Sequence, residues 1–224
     1  MAGIGLYGVF YSKCVKENGV TTGYDGAVKM MGKAISASFE PNVPEDNPLY
    51  ANNGVSENDL SAGSGVDLTM TLDRMTLDTH ADLYGSQVSE VTVEVNGEPV
   101  TGKEISYKGS EVSTPIGAAY IKLHQESGVR QHEVVFYREV TMSRPGDEAS
   151  TMKEAIEWQT PEVSATVQGL QGDGSEPWYR ASRWPSQEAA IYYIFSLFGS
   201  SATPEQIKEI VNGLNQESDE EVGV

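Results

Sequence analysis

The sequence predicts a mainly β protein: an antiparallel β-sandwich or barrel with one short helix and further helices at the C-terminus. Three observations carry this prediction. Apolar and polar residues alternate along several segments, most cleanly where Val66, Leu68, Met70 and Leu72 interleave with Asp67, Thr69, Thr71 and Asp73. Turn signals such as Asn18-Gly19 and Asn96-Gly97 separate the segments. Helical signals are confined to one short internal stretch and the C-terminal end, and runs of strands followed by helices do not build the βαβ units of a parallel sheet.

Taken in order, residues 7–16 and 20–24 read as a hairpin about Glu17-Asn18-Gly19. Residues 28–40 read as a strand with Ile35, Ala37 and Phe39 on one face and Ser36, Ser38 and Glu40 on the other. Residues 41–65 hold prolines and asparagines without sustained period, so a long loop is expected, and loops of that length commonly carry contacts. After the alternating strand 66–73, a short helix is expected over 78–84, capped by Asp78 or Thr79 and stopped by Gly85. Val91, Val93 and Val95 lead into the Asn96-Gly97 turn, with residues 105–108 as the return.

Residues 116–125 and 131–143 form two longer strands joined through Glu126-Ser127-Gly128. A further strand spans 155–168, with Ile156 and Trp158 and then, after Pro161 shifts the register, Val163, Ala165 and Val167. Beyond the Gly-rich loop 169–174, Ser186 can cap a nearly all-apolar helix ending at Gly199. Thr203-Pro204-Glu205-Gln206 is a capping box, and Ile207, Ile210, Val211 and Leu214 form the docking stripe of a second helix. The organisation is thus a β domain over 1–199 with a contact loop at 41–65, an additional helix over 200–216 and an acidic disordered tail over 217–224.

The formal charge is −18, and without the four acids of the last eight residues it is still near −14. Such a surface repels phosphate, which argues against stable nucleic-acid binding. Cys14 is the sole cysteine, so neither an internal disulfide nor a Cys-rich zinc site is possible. No stretch approaches the ~20 apolar residues of a membrane span, and a soluble chain made in the cytoplasm without a membrane partner is expected.

Motifs with chemistry are scarce. Gly3, Gly5 and Gly8 satisfy G-x-G-x-x-G, but no strand precedes them, so a mobile N-terminal arm is the expectation instead of a dinucleotide site. No G-x-S-x-G, Walker A, H-E-x-x-H or C-x-x-C element occurs, and neither an enzyme nor a cofactor is expected. His124 and His132 would face each other if the hairpin about Gly128 pairs symmetrically, but no third metal ligand can be named. Trp178, Tyr179 and Trp184 read as residues closing a core or an interface, with a sugar platform as the alternative. The loop acids and amides Glu45, Asp46, Asn47, Asn52, Asn53, Glu57 and Asp59 could supply calcium ligands, though in no EF-hand spacing. These two features define the competing reading, a calcium- or carbohydrate-binding β-sandwich module.

The order of segments resembles a known family. It starts at Tyr7-Gly8-Val9-Phe10-Tyr11-Ser12, runs through residues 32–41 (Gly-Lys-Ala-Ile-Ser-Ala-Ser-Phe-Glu-Pro) and reaches Leu49-Tyr50-Ala51-Asn52-Asn53. It goes on through Leu68-Thr69-Met70-Thr71-Leu72, Leu83-Tyr84-Gly85 and Tyr137-Arg138-Glu139-Val140, then Pro145, Glu148, Ala149 and Thr151, to Ile156-Glu157-Trp158-Gln159-Thr160-Pro161. In order and spacing the chain resembles the major tail (tail tube) proteins of bacteriophages with long, flexible, non-contractile tails. The second terminal helix and the acidic tail look like additions to that pattern.

The resemblance implies a β-sandwich protomer assembled into hexameric rings that stack as a hollow tube for DNA ejection. It also implies a place in the virion tail, assembly in the bacterial host cytoplasm, and a tape measure protein and a tail terminator as partners. Double-stranded DNA would pass transiently through the tube. The strands at 28–40, 66–73, 131–143 and 155–167 are then expected to form the channel wall, with Asp67, Asp73, Glu157 and Glu162 as lumen charges. Ring closure is expected to cover sheet edges. Pro48, Leu49, Tyr50, Asn52 and Asn53 are expected to reach a neighbouring subunit.

Overall fold

The computed structural model describes residues 2–41, 47–51, 54–59, 65–144, 160–168 and 177–215. Strand β1 (Ala2–Glu17) turns at Asn18 and Gly19, with φ of 52° and 82°, into β2 (Val20–Tyr24). Positive φ at both central residues matches the twist of paired strands, which is why Asn-Gly serves there. There follow β3 (Lys29–Gly32), β4 (Ala34–Pro41), β5 (Asn47–Ala51), β6 (Gly54–Asp59) and β7 (Gly65–Leu72). Helix α1 (Leu77–Tyr84), the hairpin β8 (Gln87–Val95) and β9 (Glu98–Ser106), and the long pair β10 (Ile116–Glu126) and β11 (Val129–Met142) come next. The chain continues with β12 (Glu162–Gln168), β13 (Tyr179–Trp184), α2 (Gln187–Leu197) and α3 (Pro204–Asn215).

The mainly β, antiparallel architecture read from the sequence is the one observed. Strand pairings run from β1 to β10, β11, β12, β7 and β4, and β3 pairs back onto β1. Because β3 and β4 are separated by Lys33 alone, this circuit closes a barrel at one end through a bend in the chain. The bend is held by Asp73, whose carboxylate accepts the Lys33 N–H at 2.8 Å and whose own N–H donates to the Lys33 carbonyl at 2.9 Å. A side chain at Gly32 would place its Cβ 2.6 Å from the Arg74 carbonyl oxygen, so only glycine passes there.

The barrel is filled by Val9, Tyr11, Leu68, Met70, Leu72, Ile116, Tyr120, Val135, Tyr137, Met142, Val163, Ala165 and Val167, all buried. Leu83 and Tyr84 of α1 join this core. Tyr11 anchors α1 from within, its hydroxyl donating to Asp82 at 3.0 Å, while Lys13 and Lys29 reach the same carboxylate at 2.7 and 2.5 Å. Burial pushes the Asp82 carboxyl up, but the hydrogen bonds from Lys13, Lys29 and Tyr11 outweigh it and hold the group below its ordinary range.

A second core lies outside the barrel. Phe10, Ala119, Ile121, Val134 and Phe136 point away from the interior and are covered by Ala190, Ile191, Ile194 and Phe198 of the α2 region and by Ile207 of α3. Ser186 caps α2 as expected, and Thr203 and Gln206 exchange both capping-box hydrogen bonds at 2.9 and 3.3 Å. Ile210, Val211 and Leu214 dock beside Ile207, and a Cβ on Gly8 would come within 2.7 Å of the Leu214 side chain.

Several expectations are corrected. Gly3 and Gly5 are not in a mobile arm, because β1 begins at Ala2 and pairs them with His124 and Leu123 of β10. The strand expected over 28–40 is broken at Lys33, and a register shift between Ala34 and Ser36 leaves Ile35 exposed, off the face that Ala37 and Phe39 share. Part of the expected loop 41–65 is a hairpin, with Asn47 opposite Asp59 and Leu49 opposite Glu57. Thr76, not Asp78 or Thr79, caps α1, since its hydroxyl accepts the Thr79 N–H. The return strand after Asn96-Gly97 begins at Glu98. Tyr179–Trp184 is a strand that periodicity did not announce.

Candidate functional site

The four strands expected to form a wall are neighbours: β4, β7, β12 and the C-terminal part of β11 lie side by side. Alternation gives them one apolar and one polar face, and the barrel interior takes the apolar one. The outer face is a grid set by register. Glu40 lies opposite Asp67, Asp67 opposite Thr166, and Thr166 opposite Thr141. The next row is Ser38, Thr69 and Ser164, and after it come Ser36, Thr71 and Glu162. The Ser36 hydroxyl donates to that of Thr71 at 2.9 Å, so part of the hydroxyl grid bonds within itself.

Glu40, Asp67 and Glu162 are exposed on this wall, and among the described residues no helix covers them. Two like charges directly opposite on paired strands are unfavourable, and among the described residues no cation pairs with Glu40 or Asp67. Sequence reading placed Glu40 on a polar face without marking it as a site residue. What singles it out is the register that sets it against Asp67.

The other expected lumen charges fall elsewhere. Asp73 follows the end of β7 and is engaged with the Lys33 backbone, with Arg74 Nε 3.7 Å from its other oxygen. Glu157 lies outside the described residues, as do Asn52 and Asn53. Pro48, Leu49 and Tyr50 are on β5, paired with Asn58, Glu57 and Val55 of β6.

The histidines do not form a shared site. Leu123, not His124, lies opposite His132, so the two imidazoles leave opposite faces of the sheet. His124 Nε2 is 3.4 Å from Glu133, and Glu133 accepts a hydrogen bond from Arg183 Nε at 3.0 Å. His132 stacks on Tyr7 with ring centroids 5.9 Å apart, and burial lowers its pKa. Among the described residues no three His, Cys, Asp or Glu side chains converge as metal ligands.

The aromatic cluster is also divided. Trp178 stacks on Phe39 against the barrel core, whereas Trp184 packs on Tyr193 beneath α2. Cys14 is partly buried on β1 with its thiol 3.7 Å from the Arg138 carbonyl, and burial pushes its pKa up to about 12, so it is no nucleophile at neutral pH. No helix of the described residues is long and apolar enough to cross a membrane.

No protein-family model matches this chain, and no curated protein sequence matches it.

Proposed function

We propose that the chain is a structural subunit of a phage tail tube, self-assembling into stacked hexameric rings around a conduit for DNA. The observation that carries this reading is the bare outer wall of β4, β7, β12 and β11, a hydroxyl grid with Glu40, Asp67 and Glu162 exposed on it. A surface meant to pass DNA must be wettable and repulsive to phosphate, and Ser, Thr and carboxylates supply both properties. Like charges left opposite one another cost stability in the free subunit, which fits selection for the field they create.

The remaining open edges suit assembly. Beyond the Lys33 bend, β4 pairs with β7 on one side and, among the described residues, with no strand on the other. A neighbouring subunit continuing the wall there would cover that edge. Rings of six would set the bare walls around a common axis, with the helix-covered halves outward.

Electron microscopy of the purified chain over a range of concentrations tests the proposal. Rings or tubes with β4, β7 and β12 facing the lumen are the expected result. Dispersed particles at every concentration, or rings with Asp67 and Glu162 on the outer surface, would overturn it.

A further inference from the structure

The hairpin of β8 and β9 stands apart from the barrel as its own two-stranded sheet. Its base is fixed to α1: Lys103 pairs with Asp78 at 3.1 Å, and the Tyr107 hydroxyl lies 3.2 Å from His80 Nδ1. Beyond that base the arm is exposed throughout residues 89–104. Register puts Val91, Val93, Val95 and Val100 on one face, where they are 40%, 54%, 48% and 49% exposed. An isolated hairpin is marginal in water, and contiguous exposed valines on one mark a contact surface. The stripe also has a notch. A Cβ on Gly102, which lies opposite Val91 on the same face, would meet nothing within 4 Å, so the space between Val91, Val93 and Val100 is empty. Glu104, the next residue of β9 on that face, is exposed, and among the described residues no cation pairs with it.

The complement stands at the opposite end of the subunit. The Leu83 carbonyl of α1 accepts the Thr114 N–H at 2.9 Å, just ahead of Ile116, and Ile116 pairs with Val140 near the C-terminal end of β11. The base of the arm, which follows α1 directly, is therefore at that end. The turn between β10 and β11, at Ser127 and Gly128, is at the other end of the same 14-residue strand, about 40 Å away at the usual rise per residue. Leaving that turn, Val129 is 60% exposed. Arg130 beside it is exposed as well, and among the described residues no carboxylate pairs with it. One end of the subunit thus presents an apolar knob beside a cation, and the other an apolar notch beside an acid.

We propose that the β10–β11 turn of one copy seats on the valine face of the arm of a copy in the next ring, with Val129 in the Gly102 notch and Arg130 on Glu104. Gly102 and Glu104 are two residues apart on one strand face, about 7 Å, a span that an arginine side chain reaches. The contact takes valines out of water and pairs opposite charges that have no partner within the described subunit. Two unlike ends of the same chain make a heterologous contact, the kind that propagates along an axis instead of closing on a pair. Small for one copy, it repeats around a ring, and simultaneous contacts reinforce one another. The inference rests on the self-assembly reading and names the surfaces that join one ring to the next.

Variants of the full chain test it, with tubes and rings read by sedimentation velocity and microscopy and folding by thermal melting. Gly102→Val fills the notch without touching its own subunit, so melting is expected at or above the wild-type temperature. The midpoint concentration for tube formation should nevertheless rise about tenfold, because Val129 loses its seat. Glu104→Arg and Arg130→Glu are each expected to raise that midpoint about tenfold, and the double variant to return within about threefold of the wild type. Should either reversal melt early, Glu104→Gln and Arg130→Gln replace them, each expected to raise it about threefold. Single rings should form as in the wild type throughout. Variants that build tubes like the wild type, or a double reversal no better than the worse single, overturn the arm-to-turn contact and make another protein the arm's partner. A wild type that stops at single rings overturns this contact and leaves ring assembly standing, whereas one that forms neither overturns the self-assembly reading, and this contact with it.

Discussion

The two halves of the barrel's outer surface are built on the same kind of strand and end in opposite ways. Along β1, β10 and β11, both faces are apolar, the inner one filling the barrel and the outer one meeting α2 and α3. Along β4, β7 and β12 the inner face is equally apolar, but the outer one carries Ser, Thr and carboxylates and stays bare. The difference is visible as period. A strand covered on both faces reads as a continuous run, as in Val134-Val135-Phe136-Tyr137, whereas a strand with one wet face alternates. Burial thus decides which half of the wall can be changed without loss, and the half left free to vary is the one that carries acid.

The comparison breaks most sharply in the covered half. Ile194→Ala, which empties a fully buried site between α2 and the barrel, is expected to cost about 3 kcal/mol in chemical denaturation. A loss under about 1 kcal/mol would mean that the helices do not seal that wall.

The α1 anchor should respond to acid. Asp82 has its pKa lowered in the folded state, so its contribution is full above its unfolded value, near 4, and is lost as pH falls through the lower folded value. Asp82→Asn is expected to remove roughly 1 kcal/mol at neutral pH, a value suited to a partly solvated ion-pair network. It should also flatten the acid limb of a stability profile, and an unchanged limb would show that the Lys13 and Lys29 pairs add nothing.

In the bare half the expected effect is smallest and of the other sign. Asp67→Asn, by relieving repulsion with Glu40, should stabilise the subunit by a few tenths of a kcal/mol, about the size of a cross-strand pair term. A clear destabilisation would mean that Asp67 has a structural partner.

Much of the fold was legible because its signals are local. Asn18-Gly19 and Asn96-Gly97 turn where the sequence says, Ser186 and Thr203 cap their helices, and Val66, Leu68, Met70 and Leu72 are buried on one face. The failures share a cause. Ile35 leaves its face at a bulge, and His124 misses His132 by one residue of register. In β13, Arg180 and Arg183 interrupt the apolar pattern although the strand pairs fully with β11. A pairing offset has no local signature, since it is decided by the strand alongside.

The same division runs through the candidate site. Composition and period determined that this protein is acidic, mainly β, and made of strands with one polar face, because each of these depends on a residue and its near neighbours alone. Only the tertiary structure decided that Glu40 and Asp67 share a row, that Asp73 holds a bend, and that the valines of the arm are left uncovered. Those outcomes depend on which distant strands meet and in what register, and that follows from the packing of the whole barrel.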